Sequence, residues 1–287
     1  MIARAPELPR TFRIAAGARR MLGVRGTHAL YRSPAMRPLR RLLAAAAPAS
    51  PQLVEVCGGP LQGARMRIDL SCEKYYWLGT HEEPVQRTLI THAQPGAVAW
   101  DIGAHIGFFS LLLARAVGPD GRVLAFEPHA ANVGRLTANV TANHVHNVDV
   151  LAVALGNASG SAAFAVHRSS LQGALEGPSP SPCTDEIVSV ETTTIDDLVR
   201  HGAPVPLLIK IDVEGAEGRV LSGGRETIAV HRPVMVIEIH SRDAWDEVLD
   251  ALPVAYGFKD IDCGHANPRD RSSREPGHYV ALPVVAR

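Results

Sequence analysis

At 287 residues, with 46% hydrophobic and 20% charged residues, the chain has the composition of a soluble globular protein able to bury a sizeable core. Net charge is formally zero, but residues 1–50 hold ten arginines against one acid, Glu7. The remainder is acidic by the same margin and offers no general basic footprint for nucleic acid. No apolar run nears the roughly 18 residues that span a bilayer, and no signal-like apolar stretch opens the chain. Four scattered cysteines without a Cys-x-x-Cys pair point to reduced thiols in a cytoplasmic setting.

The arginine-rich segment carries two weak helical stripes, Ile14, Ala18, Met21 and Leu22, then Met36, Leu39 and Leu43. It reads as a basic extension over 1–50, either a loose tail or helical cap or a membrane-surface or protein-contact segment. Pro48 and Pro51 mark its boundary, leaving 51–287 as one domain. "LVEV" and "ARMRIDL" flank a Gly-Gly-Pro turn and predict a β-hairpin; "EEPVQRTLITHA" predicts a helix ended by Pro95-Gly96.

Strands and helices then alternate: strand "AVAWDI", helix Phe108 to Val117, strand "RVLAFE", helix Ala130 to Asn143, strand "VDVLAVAL". Strands "SAAFAVHR" and "EIVSVETTTI" interrupt the rhythm around a Pro/Ser/Gly-rich loop, Gly173 to Cys183, suited to a lid. Alternation resumes with strand "LLIKIDV", helix Ala216 to Val230, strand "VMVIEIH" and helix Ala244 to Leu252. Closing strands follow near Phe258–Asp262 and Tyr279–Val285. Repeated β–α units predict an α/β fold with a doubly wound, largely parallel sheet.

In such a sheet, ligands bind beyond the carboxyl ends of the strands. "WDIGAHIG" puts Asp101 at a strand end, followed by Gly103 and Gly107, which permit a tight turn and a close backbone approach to a ligand. The spacing is Asp-x-Gly-x-x-x-Gly, neither the dinucleotide Gly-x-Gly-x-x-Gly nor a phosphate loop with Gly-Lys-Ser/Thr. Glu127, twenty residues after Gly107, stands where a carboxylate accepts hydrogen bonds from ribose hydroxyls. Turn amides for a carboxylate, Asp101 for an ammonium and Glu127 for a ribose together fit S-adenosyl-L-methionine.

"WDIGAHIGFFS", "LAFEPHAANVGRL", "TTTIDDL", "IKIDVEGAE" and "PVMVIEIH" resemble the FkbM family of S-adenosylmethionine-dependent methyltransferases, roughly from Tyr75 to His240. The resemblance implies a class I methyltransferase (Rossmann-like) fold, a seven-stranded sheet whose last strand runs antiparallel. It also implies methylation of a hydroxyl, less often an amine, on natural products, sugars or glycolipids. The expected cofactor-binding residues are Asp101, Gly103, Ala104, His105, Gly107, Glu127, Pro128 and Asp212. His105 departs from the family turn, which usually has asparagine there.

Methyl transfer to an alcohol benefits from a positioned base. His240 and Asp212, ending adjacent strands, are expected to be the catalytic pair, with His240 as base and Asp212 orienting it or the acceptor. Lys210 and Glu238 read as a charge pair between those strands. Lys210 beside Asp212 and Glu214 disfavours a divalent cation, so no metal is expected. Ser169-Ser170-Leu171 reads either as turn chemistry or as a contact to cofactor or substrate. The acceptor is expected to be a small molecule with a hydroxyl or amine rather than nucleic acid. The alternatives are an N-methyltransferase on an amino sugar or aminocyclitol, or a non-catalytic cofactor-binding scaffold.

Overall fold

The computed structural model describes residues 50–166, 173–175, 186–262 and 275–284, together with Pro38. The N-terminal stripes, Ser169–Leu171 and most of the expected lid lie outside the described residues. By its contacts the chain divides into two units, residues 1–83 with 138–144 and residues 84–137 with 145–287.

In the first unit, β1 (Gln52–Glu55) and β2 (Arg65–Ile68) form the expected antiparallel hairpin. Alternation buries Val54, Met66 and Ile68. The outer edge of β2 is capped by side chains: the Arg65 N–H donates to Asn143 (2.8 Å) and the Arg67 N–H to Asn139 (2.6 Å). A short helix follows, α1 (Lys74–Leu78). It closes at Gly79, whose φ of 70° and contact with Gly58 exclude a side chain.

Next come α2 (Glu83–His92), β3 (Val98–Ile102), α3 (Phe108–Val117), β4 (Arg122–Phe126), α4 (Ala130–Ala142) and β5 (Val148–Leu151). An insertion holds β6 (Ala154–Leu155), β7 (Gly160–Val166), β8 (Gly173–Leu175), β9 (Glu186–Thr193) and α5 (Ile195–Arg200). The chain returns through β10 (Leu208–Ile211), α6 (Glu217–Ser222), α7 (Arg225–His231), β11 (Val234–Ile239), α8 (Arg242–Ala251), β12 (Tyr256–Asp260) and β13 (Gly277–Pro283).

The main sheet of the second unit has seven strands in the order β12-β13-β11-β10-β3-β4-β5. Its five strands from β11 to β5 are parallel, and β13 is antiparallel to both neighbours. This is the expected doubly wound class I arrangement. The reversal of winding direction lies between β3 and β10, where ligands bind in such sheets. Trp100, Phe126, Ile209, Ile211, Ile237 and Trp245 anchor one continuous core under it.

Three elements differ from expectation. "VDVLAVAL" is divided between sheets, because β6 pairs with β9 in a separate four-stranded sheet of order β6-β9-β7-β8. Thr194 ends β9 by capping α5, accepting from the Asp197 N–H at 2.9 Å, so "TTI" turns into a helix start. The helix expected over Ala216 to Val230 is two helices. At the Gly223-Gly224 break, a Cβ on Gly223 would stand 2.0 Å from the Gly156 carbonyl and one on Gly224 would press on Ile195. The glycine pair admits the insertion against the helices.

Candidate functional site

The turn after β3 is built by backbone. Gly103, His105 and Gly107 all have positive φ (81°, 50° and 86°). The Gly103 and Ala104 N–H groups donate to the Phe126 carbonyl, and the Gly107 N–H to that of Ala104. A side chain on Gly103 would meet the Asp212 carbonyl at 1.8 Å, and one on Gly107 would meet Leu136 at 2.3 Å. These glycines therefore admit neighbouring protein where a Cβ would otherwise stand. Position 105 requires the left-handed region, which histidine tolerates as asparagine does; this accounts for the departure at His105.

Glu127 is 5% exposed, just past β4. Its carboxylate accepts from the His105 and His129 N–H groups, each at 2.9 Å, and from the Asn132 amide at 3.4 Å. Burial raises its pKa to about 7 against those hydrogen bonds and the Lys210 charge. A carboxylate has about four acceptor positions, so room remains for one strong further donor. Pro128 follows, half-buried, ahead of α4.

Asp101 is fully buried. The Ser110 hydroxyl donates to its Oδ2 at 2.6 Å, and Lys210 Nζ lies 3.7 Å from Oδ1, which has no hydrogen-bond partner. Desolvation raises its pKa although Lys210 and Ser110 oppose the shift. Register places Lys210 opposite Asp101 on one side and Val236 on the other. Its ammonium also donates to Asp212 Oδ2 (3.0 Å) and the Gly103 carbonyl (3.3 Å). The expected Lys210–Glu238 pairing is thus corrected: Lys210 serves the acids of its own strand end and β3.

Asp212 and His240, ending β10 and β11, do meet. His240 Nε2 lies 3.2 Å from Glu214 Oε2, 3.6 Å from Glu238 Oε1 and 3.8 Å from Asp212 Oδ1. Its Nδ1 lies 2.9 Å from Oε1 of fully buried Glu217, which also accepts the Gly215 N–H. Burial alone lowers the imidazole pKa, but the Glu217 hydrogen bond and the charges of Glu238, Glu217 and Glu214 lift it to about 9. Glu214, in left-handed backbone at φ 51°, is pushed up to about 7 by burial and neighbouring carboxylates, against the pull of His240. On the far side, Glu238 is the register partner of His278, whose Nε2 lies 3.5 Å from Oε2.

Sequence reasoning missed Glu217 and His278. Glu217 reads as a helix-start acid, and His278 reaches the site only because β13 is inserted beside β11. Asp212, Glu238 and His240 each place one ligand atom within 4.8 Å of the others, a set able to hold a metal ion. No helix among the described residues is long and apolar enough to cross a membrane.

Residues 101–260 match the family model described as the methyltransferase FkbM domain. The chain is 29% identical over 195 residues to the hexuronic acid methyltransferase AglP of Haloferax volcanii, covering 67% of this chain and 75% of that protein. Among solved structures it is similar to a methyltransferase FkbM from Methylobacillus flagellatus, with 18% identity and a TM-score of 0.42. That match covers 86% of this chain and 59% of the other. It is also similar to an Aeropyrum pernix fibrillarin in complex with natively bound S-adenosyl-L-methionine, with 13% identity, a TM-score of 0.39 and coverage of 67% and 68%.

Proposed function

Because the chain belongs to the FkbM methyltransferase family, whose methyl donor is S-adenosyl-L-methionine, we propose that it methylates a hydroxyl of a sugar or sugar acid carried by a small molecule. The observation that carries this reading is the meeting of His240 with Asp212, Glu214 and Glu238 beyond β10 and β11. In this reading the donor lies beside that mouth, at Asp101, Gly103, Ala104, His105, Gly107, Glu127 and Pro128. These residues fit it: a buried Asp101 oxygen lacks a hydrogen-bond partner, and Glu127 retains acceptor capacity. The hexuronic acid named for the Haloferax volcanii relative supports the sugar-acid class.

Bound there, S-adenosyl-L-methionine supplies a methyl group already activated for in-line displacement, so the protein's task is alignment and exclusion of water. In this reading Glu127 holds the donor's ribose, and Asp101 supplies negative charge beneath the turn. The acceptor hydroxyl, on losing its proton, becomes the methyl ether oxygen. The sequence alone assigned that proton to His240. Held by carboxylates at a pKa of about 9, the imidazole is protonated near neutrality, whereas Glu214, at about 7, is matched to accept a proton there. His240 and Asp212 then position the acceptor oxygen, and Glu214 takes the proton. A second reading, methylation of an amine on an amino sugar, is favoured by the carboxylates at the mouth, which suit a cation.

The test supplies labelled S-adenosyl-L-methionine with hexuronate glycosides and with amino sugars, reading products by mass spectrometry. O-methylated uronate is expected, and products only from amines would replace the first reading with the second. Glu214→Gln should lower turnover by about 10²-fold or more, the scale of general-base removal, with donor affinity by calorimetry nearly unchanged. Equal losses in turnover and donor affinity would make Glu214 structural.

A further inference from the structure

We propose that Asp212, Glu238 and His240 form a divalent-cation site at the acceptor mouth, taking the ion through Oδ1, Oε1 and Nε2. Sequence alone pointed to a metal-free mouth because Lys210 stands nearby. The structure places Lys210 on the other side of the Asp212 carboxylate: Nζ lies 3.0 Å from Oδ2, leaving Oδ1 toward His240. The same division holds at each ligand. Glu238 turns Oε1 to His240 and Oε2 to His278, and His240 turns Nε2 to the three acids and Nδ1 to Glu217.

Each proposed ligand thus has one atom directed into the cluster and another engaged outside it, as in metal sites whose outer partners fix ligand orientation. The ion displaces the proton that the imidazolium carries on Nε2, and the Glu217 carboxylate, the recurrent kind of partner for the far nitrogen of a metal-bound imidazole, keeps the other proton on Nδ1. The three ligand atoms lie within 4.8 Å of one another, a spread that a cation with metal–oxygen distances of roughly 2.0–2.6 Å bridges.

A second observation calls for positive charge. Glu217 is 0% exposed and its Oε2 has no hydrogen-bond partner, while its Oε1 rests on His240. With the half-buried Asp212, Glu214 and Glu238 this makes four carboxylates around one imidazole, an excess of negative charge that a bound cation offsets. One nitrogen and two carboxylates suit Mn²⁺ or Mg²⁺ with open positions. The role of the ion rests on the methyltransferase reading: it would hold and polarise the acceptor oxygen, and screen a sugar acid from the carboxylates.

The test is titration of the full-length chain with Mn²⁺, followed by electron paramagnetic resonance. One bound ion per chain is expected, with ¹⁴N coupling from one imidazole in the wild-type spectrum. Glu238→Gln should weaken binding by about tenfold or more, with folding verified by circular dichroism. His240→Gln should abolish the nitrogen coupling. No bound Mn²⁺ at millimolar concentration, or bound Mn²⁺ without nitrogen coupling, overturns the site; so does an affinity unchanged in folded Glu238→Gln. Calorimetry of S-adenosyl-L-methionine on the same sample keeps the two readings apart. Ion without donor binding removes the methyltransferase reading, and donor without ion binding removes the site alone.

Discussion

Lys210 and Asp101 stand opposite each other on neighbouring parallel strands, the ammonium 3.7 Å from a carboxylate with 0% exposure. Lys210→Met should cost about 3–5 kcal/mol in denaturant unfolding, because one buried partner is left uncompensated. The double variant Lys210→Met, Asp101→Leu should recover much of that loss. A double variant no better than the single would show that Lys210 acts chiefly through Asp212 or the Gly103 carbonyl.

Glu127 should make stability fall as pH rises. Its folded pKa, about 7, exceeds its ordinary 4.5, so the native state holds this proton more tightly than the unfolded chain. The contribution is fully present below pH 4.5 and lost as pH climbs to about 7, amounting to roughly 3 kcal/mol. The groups facing the carboxylate are the His105 and His129 amides, Asn132 and, at longer range, Lys210. Unfolding free energies at pH 5 to 8 should slope downward in the wild type and more weakly in Glu127→Gln. Parallel slopes would count against the shift.

Gly103→Ala should be worse than Gly107→Ala. At 103 the added carbon strikes the Asp212 carbonyl, and the Asp212 N–H is itself bonded to Ile102 at 3.1 Å, so relief means parting β3 from β10. A loss above about 4 kcal/mol, or failure to fold, is expected. At 107 the obstacle is a Leu136 methyl able to change rotamer, so the expected loss is about 1–3 kcal/mol. Denaturant midpoints in the reverse order would refute this distinction.

Trp245 ties α8 to the β12–β13 edge. Its ring stacks edge-on at 5.0 Å from Phe258 and 4.6 Å from Tyr279, and its N–H donates to the Glu275 carbonyl at 3.0 Å. Trp245→Ala should cost about 3–5 kcal/mol, and Trp245→Phe about 1 kcal/mol if the hydrogen bond is the main loss. Thermal unfolding followed by far-ultraviolet circular dichroism measures both.

The local pattern was readable from "WDIGAHIG" and "IKIDVEGAE" because apolar strands, turn glycines and strand-end acids follow short-range rules. What failed were relations between strands. Period-two alternation shows that Lys210 and Asp212 share a face but not which neighbour they meet; Lys210 meets Asp101 across the β10–β3 pairing, not Glu238. Helical periodicity ran through Gly223-Gly224 because the obstacle, the Gly156 carbonyl, is 67 residues away in sequence. His278 had no local signal at all.

Strand β13 follows β12 in the chain yet lies between β11 and β12, and β12 has its ladder with β13 alone among the described residues. As the nascent polypeptide leaves the ribosome, the segment from Tyr256 to Asp260 therefore emerges before the backbone that will hold it. Until His278 and its neighbours arrive, β11 exposes an unmatched row of amides and carbonyls. Completion of this enzyme is thereby deferred to one late insertion event, during which a chaperone or a stray β-edge competes for the same vacancy.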